Sequence, residues 1–242
     1  ALDIPRLEQV FADERVIWHL SRDAGTLADL VGSEYVPLLH RQAAVLPLRG
    51  RTDLEPARFG PLQQAARDGI ERALSDFATQ RAFGRRWMHN ILVNMSRIRR
   101  RVETIPGYGP HIVTAAGPSL ERALSSHEAL RGATLVATDS SLPMLLQRGI
   151  TPDFVVTIDS QIASYHHFVS GMPRNAVLVA DITASPSALR RARWVDLRIG
   201  GHPFAAYLGT HWAHLPELFT AAGSVTHAAV AFVGKVRLSA ES

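Results

Sequence analysis

From residue 111 onward, the chain alternates between short apolar runs and segments with helical apolar spacing, with a repeat of about 20 residues. The apolar runs are rich in β-branched and small residues, which is typical of strands buried on both faces. We predict strands over 111–116, 134–138, 154–158, 176–180, 194–199 and 236–238, the last following a helix that Gly234 ends. Strands that alternate with helices form parallel sheets, so the sequence predicts an α/β fold with a Rossmann-like, doubly wound, mainly parallel sheet.

The turn after the first of these strands has the composition of an anion site. Gly117 and Pro118 end the apolar run, and Ser119 leads into a helical segment that begins at Leu120. A glycine lets the backbone approach a phosphate closely, and the unpaired N–H groups of a first helical turn point at it. Ser119 suits either of two roles, a hydroxyl donor to the phosphate or the N-cap of an ordinary turn.

Several other polar residues follow predicted strands directly. In open α/β sheets, ligands bind at the carboxyl ends of the strands. A single aspartate there is often only a turn residue, but several on one edge predict a ligand site without naming the ligand. The residues that we expect at this edge are Asp139, Asp159, Asp181 and His202, together with the helix starts at Ser119 and Ser224.

The first half of the chain is less regular, and we predict a smaller N-terminal α/β domain over residues 1–105. It contains a short strand over 15–20, a helix capped near Thr26, and two closing helices over 61–80 and 84–101. Asn90 and Asn94 lie four residues apart on the last helix, where they suit a polar seam against the next domain or a ligand contact. The turn-forming segment 105–110 precedes the second domain, 106–242.

Composition excludes several classes of protein. The absence of cysteine excludes disulfides, thiol chemistry and zinc held by cysteine, and it is compatible with a cytoplasmic protein. No apolar run approaches the roughly 20 residues that span a bilayer. Lys235 is the only lysine and is far from any glycine-rich loop, which excludes a Walker-type phosphate loop. The net charge of +4 is small, so we expect no specific nucleic-acid partner.

The histidines show no spacing that requires a metal. His166 and His167 are adjacent, and His211 and His214 are three residues apart. We therefore predict no metal site and interpret these four as structural histidines. His227 differs because it lies one turn into the helix that follows Gly223 and Ser224.

Four motifs, in order along the chain, resemble the archaeal 6-hydroxymethylpterin diphosphokinase MptE-like family. They lie at 116–120, 137–143, 149–159 and 223–227. The bacterial branch of that family includes the motility-associated factor (Maf) glycosyltransferases, and Trp87, Asn90 and Asn94 resemble the segment that precedes its core. The core is also similar to bacterial sialyltransferases that use a CMP-sugar donor.

The resemblance implies a role for each matching residue. Gly117, Pro118, Ser119 and Leu120 would cradle the donor phosphate, while Asp139 and Ser140 would flank the nucleotide. Asp159 would face the reacting centre. Ser224 and Thr226 would hold the base, ribose or phosphate. Where the family generally shows a glycine and an aspartate after 236–238, this chain ends, so we expect a C-terminally truncated domain. The resemblance implies a catalytic base either downstream of residue 242 or, within this sequence, at Asp159 or His227.

Three functions remain open on the sequence. The first is transfer of a CMP-linked nonulosonic (sialic-acid-like) sugar to a protein acceptor such as flagellin, which requires no cofactor. The second is pyrophosphoryl transfer from ATP to a hydroxymethylpterin, for which Asp139 and Asp159 would hold Mg²⁺. The third is a nucleotide-binding module without catalysis.

Overall fold

The computed structural model describes residues 9, 12–17, 19, 23–40, 42–96, 109–125, 130, 132–212, 214–220 and 223–240. The chain divides into two compact units, Ala1–Ala82 and Phe83–Ser242. The predicted domain boundary at residues 105 and 106 lies outside the described residues. No helix in the described ranges is both long enough and apolar enough to cross a membrane.

The described part of the first unit is helical. It contains α1 (Ala24–Glu34), α2 (Arg49–Thr52) and most of α3 (Pro56–Met95). The cap of α1 is Asp23 and not Thr26, because the Asp23 carboxylate accepts the N–H of Thr26 at 2.6 Å. A Cβ on Gly69 would lie 2.6 Å from the carbonyl oxygen of Ala28, so a glycine lets α3 pack closely against α1.

Two predictions for the first domain are wrong. Residues 15–17 and 19 form no strand. The reason is a turn at Asp13, whose carboxylate accepts the N–H of Arg15 at 3.0 Å and whose carbonyl oxygen accepts the N–H of Val16 at 2.9 Å. The domain is therefore helical rather than α/β where it is described. The two closing helices are also one 40-residue helix, α3. Gly84 lies within it because a glycine costs a helix only about 1 kcal/mol.

The second unit contains a five-stranded parallel sheet. The strands are β1 (His111–Thr114), β2 (Thr134–Thr138), β3 (Phe154–Thr157), β4 (Val177–Asp181) and β5 (Trp194–Arg198). The register pairs Ile112 with Leu135 and Ala137 with Val155, so the first three strands share one sheet as predicted. The α/β class and the parallel sheet are confirmed.

The strand order adds detail to the predicted doubly wound sheet. The five strands lie in sequential order, β1 to β5, so no reversal of strand order occurs among them. The connecting helices are α4 (Pro118–Ala123), α5 (Leu142–Gln147) and α6 (Pro186–Leu189). They contribute Leu120, Leu145 and Leu189 to a single core cluster with the sheet. Because these three helices share one cluster, they lie on the same face of the sheet. Right-handed crossovers between sequential strands produce this arrangement.

The other face is covered by α8 (Val225–Ala240). Its Ala228, Ala229 and Phe232 are buried, and Phe232 packs edge-to-face on Phe154 with 5.5 Å between ring centroids. This helix runs through Gly234 to Ala240, so the predicted final strand at 236–238 is wrong. A Cβ on Gly234 would meet no atom within 4 Å, and one exposed glycine is too weak a breaker to end a helix that packs on the sheet.

A third cluster joins the end of α3 to the carboxyl end of the sheet. Ile91 of α3 is fully buried with Ile182, Ile199 and Ala205. Ala205 belongs to α7 (Pro203–His211), the helix that follows β5. The residues after β4 and β5 are thereby packed against α3.

Candidate functional site

The carboxyl ends of β1, β2 and β3 lie at one edge of the parallel sheet, which brings the predicted site residues to the same side. The turn after β1 ends with Gly117 as the N-cap of α4 and Pro118 as its first residue. The predicted role of Ser119 as N-cap is therefore wrong, and its exposed hydroxyl makes no hydrogen bond within the described chain. Leu120 is buried in the core, so only its backbone lies at the turn.

Asp139 follows β2 and is 3% exposed. Its carboxylate accepts the Thr157 hydroxyl at 2.6 Å and the N–H of Ser140 at 2.7 Å. Burial raises the pKa of this carboxyl; the Thr157 hydroxyl, the His167 ring and the Ser140 N–H act in the opposite direction, and the nearby charge of Asp159 adds to the rise. Asp139 is thus a fixed, largely desolvated carboxyl at the centre of the edge.

The neighbouring hydroxyl groups tie the ends of β1 and β2 together. The hydroxyl of Ser141 is buried and lies 3.1 Å from the Thr114 carbonyl oxygen and 2.9 Å from that of Thr138. Ser140 is half-buried, with its hydroxyl 3.2 Å from the Thr138 hydroxyl. The loop that carries Asp139 is therefore held at a defined position beside the β1 turn.

Asp159 follows β3 and is half-buried. Its carboxylate accepts the N–H of Gln161 at 2.8 Å, and its charge is close enough to act on Asp139. The structure thus brings Asp139, Ser140 and Asp159 together at the ends of adjacent strands. Ser119 lies at the same edge, beyond the end of the neighbouring strand β1.

The predicted residues at the start of α8 make no hydrogen bond or ion pair with these groups within the described chain. The hydroxyl of Ser224 accepts the N–H of Thr226 at 3.3 Å, which makes Ser224 a cap of α8. Thr226 is half-buried and His227 is exposed. Their ligand roles stay predictions.

Asn90 and Asn94 form a polar seam, but it lies within the unit Phe83–Ser242 and not against a separate domain as predicted. The Asn90 amide donates to the carbonyl oxygens of Ser160 at 3.0 Å and Thr183 at 2.9 Å. The Asn94 amide donates to the carbonyl oxygens of Ile182 at 2.9 Å and Ala184 at 2.8 Å. Both side chains are buried and hold the loops that follow β3 and β4.

Asp181 and His202 also lie at this edge but serve the local structure. Asp181 is buried, and its carboxylate accepts the N–H of Thr183 at 2.7 Å as well as the Thr183 hydroxyl. Burial raises the pKa of this carboxyl. His202 packs edge-to-face on Trp87 with 5.6 Å between ring centroids, and burial lowers the pKa of its imidazole.

A cavity of about 470 Å³ lies beside β5 and α7. Its described lining includes Gly200, Gly201, Thr210 and Thr220, and it includes none of the predicted site residues. No group of three or more metal-ligating side chains occurs in the residues that the structure describes.

Sequence reasoning missed two residues of the Asp139 environment. Thr157 has the composition of an ordinary strand residue, although its position two residues before Asp159 places it near the strand end. His167 was interpreted as a structural histidine, yet its Nδ1 lies 3.7 Å from Asp139 Oδ1. It belongs to a 3-10 helix, Ile162–Phe168, whose sequence shows no periodicity that would have predicted its orientation.

Comparison with known proteins agrees with the motif resemblance. An uncharacterized protein of Treponema pallidum (strain Nichols) is 27% identical over 168 residues, which are 67% of this chain and 80% of that protein. A second uncharacterized protein of the same organism is 33% identical over 94 residues, 39% of this chain and 20% of that protein.

The solved structure of a Maf glycosyltransferase from Magnetospirillum magneticum AMB-1 is similar to this chain. The similarity has a TM-score of 0.44 and 20% identity, and it covers 54% of this chain and 21% of the glycosyltransferase. This chain therefore spans about a fifth of that protein. The sequence model of the family described as 6-hydroxymethylpterin diphosphokinase MptE-like matches residues 85–240, which contain the whole sheet and all the predicted site residues. The chain belongs to the 6-hydroxymethylpterin diphosphokinase MptE-like family.

Proposed function

We propose that this chain is the nucleotide-sugar domain of a cytoplasmic glycosyltransferase that uses a CMP-linked nonulosonic, sialic-acid-like donor and a protein acceptor such as flagellin. The observation that carries the proposal is the arrangement of Asp139 and Asp159 at the carboxyl edge of an MptE-like sheet, beside the turn in which Pro118 and Ser119 are exposed. When the nucleotide leaves the sugar, the turn would stabilise the negative charge on the phosphate, and a carboxylate would stabilise the positive charge on the sugar carbon.

The leaving group is the CMP phosphate, and its charge grows as the bond to the sugar breaks. The N–H and the hydroxyl of Ser119 would stabilise that charge, because Pro118 has no N–H and the Leu120 N–H donates to the Gly117 carbonyl oxygen. Ser140, Ser224 and Thr226 would contact the nucleotide. The sugar carbon gains positive charge in the same step, and the half-buried Asp159 carboxylate would stabilise it.

Pyrophosphoryl transfer from ATP is the second candidate, because the family description names a diphosphokinase. That reaction needs Mg²⁺, and the residues at this edge do not fit it. Both oxygens of Asp139 already accept hydrogen bonds, from Ser140 and Thr157, and the residue is only 3% exposed. Magnesium prefers ionised, accessible oxygen ligands. We therefore favour the glycosyltransferase.

A thermal-shift panel tests the proposal. We expect CMP and a CMP-nonulosonate to raise the Tm without added metal, by an amount equivalent to about 2.7 kcal/mol at a hundredfold excess over Kd. We also expect slow release of CMP from the donor, followed by chromatography. Stabilisation only by ATP with Mg²⁺ would support the diphosphokinase, and stabilisation by neither would contradict both enzymes.

A further inference from the structure

We infer that His167 is the general base of the proposed transfer reaction, oriented by Asp139, an inference that rests on the proposed function. His167 Nδ1 is buried, makes no hydrogen bond to the residues that the structure describes, and lies 3.7 Å from Asp139 Oδ1. The side chain as a whole is 38% exposed although Nδ1 is buried, and we infer that Nε2 is the nitrogen that reaches solvent. One nitrogen facing a buried carboxylate and the other facing solvent is the geometry of a histidine base.

The segment that carries His167 is fixed on both sides. Phe168, the next residue, is fully buried in the core. Three residues earlier, the Ser164 hydroxyl donates to the Gln161 carbonyl oxygen at 2.8 Å. The same segment starts just after Asp159, so Asp159 and His167 flank the end of β3. These contacts direct His167 towards Asp139, whereas the adjacent His166 is exposed.

Asp139 has the properties of an orienting carboxylate. The Thr157 hydroxyl and the Ser140 N–H fix its two oxygens, so its own position is defined before a ligand arrives. A movement of about 1 Å brings Nδ1–H into hydrogen-bond distance, as often happens when a substrate closes a site. That bond would hold the tautomer with an unprotonated Nε2 and stabilise the imidazolium.

In the proposed reaction, one bond forms at the sugar carbon as another breaks, and His167 takes up the proton that is released. Nε2 of His167 accepts the proton of an acceptor hydroxyl, or of water in hydrolysis, while the acceptor oxygen forms a bond to the anomeric carbon of the sugar. The bond between that carbon and the phosphate oxygen breaks, and its electron pair leaves with CMP. The proton on His167 then passes to solvent, which returns the histidine to its neutral state.

Adjacent histidines provide a matched test. We expect His167→Gln to lower the rate of CMP release from a CMP-nonulosonate by a factor of 10² to 10⁴ with little change in KM. His166→Gln should release CMP at the wild-type rate. Imidazole should restore part of the activity of His167→Gly, which a merely structural role would not allow.

The outcomes separate the two proposals. Release by His167→Gln at the wild-type rate overturns the role of His167 and leaves the glycosyltransferase intact. No release by the wild type from any CMP-nonulosonate overturns the glycosyltransferase and the base together. Nitrogen NMR of the imidazole gives a check without turnover: we expect the Nδ1–H tautomer of His167 in the CMP complex, and an Nε2–H tautomer would overturn the inference.

Discussion

The two ends of the candidate site are built differently. At the ends of β2, β3 and β4, polar side chains are buried and bonded to one another or to backbone, as Asp139, Asp181 and Asn94 show. At the end of β1, Pro118 and Ser119 are exposed, and neither makes a side-chain hydrogen bond within the described chain. One region is fixed by its own hydrogen bonds, whereas the other leaves a proline ring and a serine hydroxyl exposed.

This difference separates stability from binding. A buried polar network stabilises the fold only while every member has its partner, so its residues should carry large costs when they are changed. An exposed turn contributes little to stability and is available to a ligand. Changes at β2–β4 that leave a buried group without its hydrogen-bond partner should therefore lower the free energy of unfolding, and loss of the exposed Ser119 hydroxyl should lower nucleotide affinity alone.

The largest effect on stability is expected for Asn94→Ala. The substitution removes two buried hydrogen bonds and leaves the carbonyl oxygens of Ile182 and Ala184 without donors, which should cost roughly 3–5 kcal/mol in denaturant unfolding. Gln80→Ala, an exposed amide of the same helix, is the control and should cost less than about 0.5 kcal/mol. Equal losses in the two variants would show that the seam does not stabilise the fold.

Alanine substitutions at Gly200 and Gly117 test the same difference between the two ends of the site. A Cβ on Gly200 would overlap Asp181 Oδ2 and lie 2.9 Å from the Thr220 side chain, so Gly200→Ala should destabilise by roughly 1–3 kcal/mol. Gly117→Ala meets only the Ser119 hydroxyl at 3.9 Å, with φ of −92°. Its cost should stay below about 1 kcal/mol, the difference between glycine and alanine as caps. A lower Tm for Gly117→Ala than for Gly200→Ala would contradict the difference between the packed and the open end of the site.

The pH dependence of stability tests the burial of Asp139. Burial raises the pKa of its carboxyl in the folded state, so the folded protein binds this proton more tightly than the unfolded chain. The stability from this group is complete below the unfolded pKa near 3.8 and is lost as the pH rises through the raised value. Asp139→Asn should therefore have a higher Tm than the wild type at pH 8, with the difference shrinking towards pH 4. A constant difference across that range would mean that Asp139 is not desolvated.

Local patterns in the sequence predicted the strands and the edge of the sheet at which the candidate site lies. They did not predict contacts between residues that are far apart in the chain. The β-branched runs predicted five parallel strands, and the position of Asp139 and Asp159 after two of them predicted the edge. The bonds of Asn90 to Ser160 and Thr183 join residues 70 and 93 positions apart, which no local pattern encodes. The orientation of His167 depends on a 3-10 segment anchored by Phe168, and the continuation of α8 past Gly234 depends on its packing against the sheet.

The smallest effect on stability, and the largest on binding, is expected for Ser119→Gly. We expect an unchanged Tm, since Ser119 caps nothing, and a loss of one charge-assisted hydrogen bond to the phosphate worth roughly 1.5–3 kcal/mol. Ser187→Gly is the matched control, because Ser187 also follows the first-turn proline of a short helix, α6.

The most direct test of the account is the ratio of CMP to cytidine affinity, measured by calorimetric titration in the wild type, Ser119→Gly and Ser187→Gly. The two ligands differ only in the phosphate, so a change in their ratio reports a contact between the phosphate and the substituted residue. We expect the ratio to fall by a factor of about 10 to 100 in Ser119→Gly and to stay unchanged in Ser187→Gly. The same ratio in all three proteins would contradict a phosphate site at the end of β1.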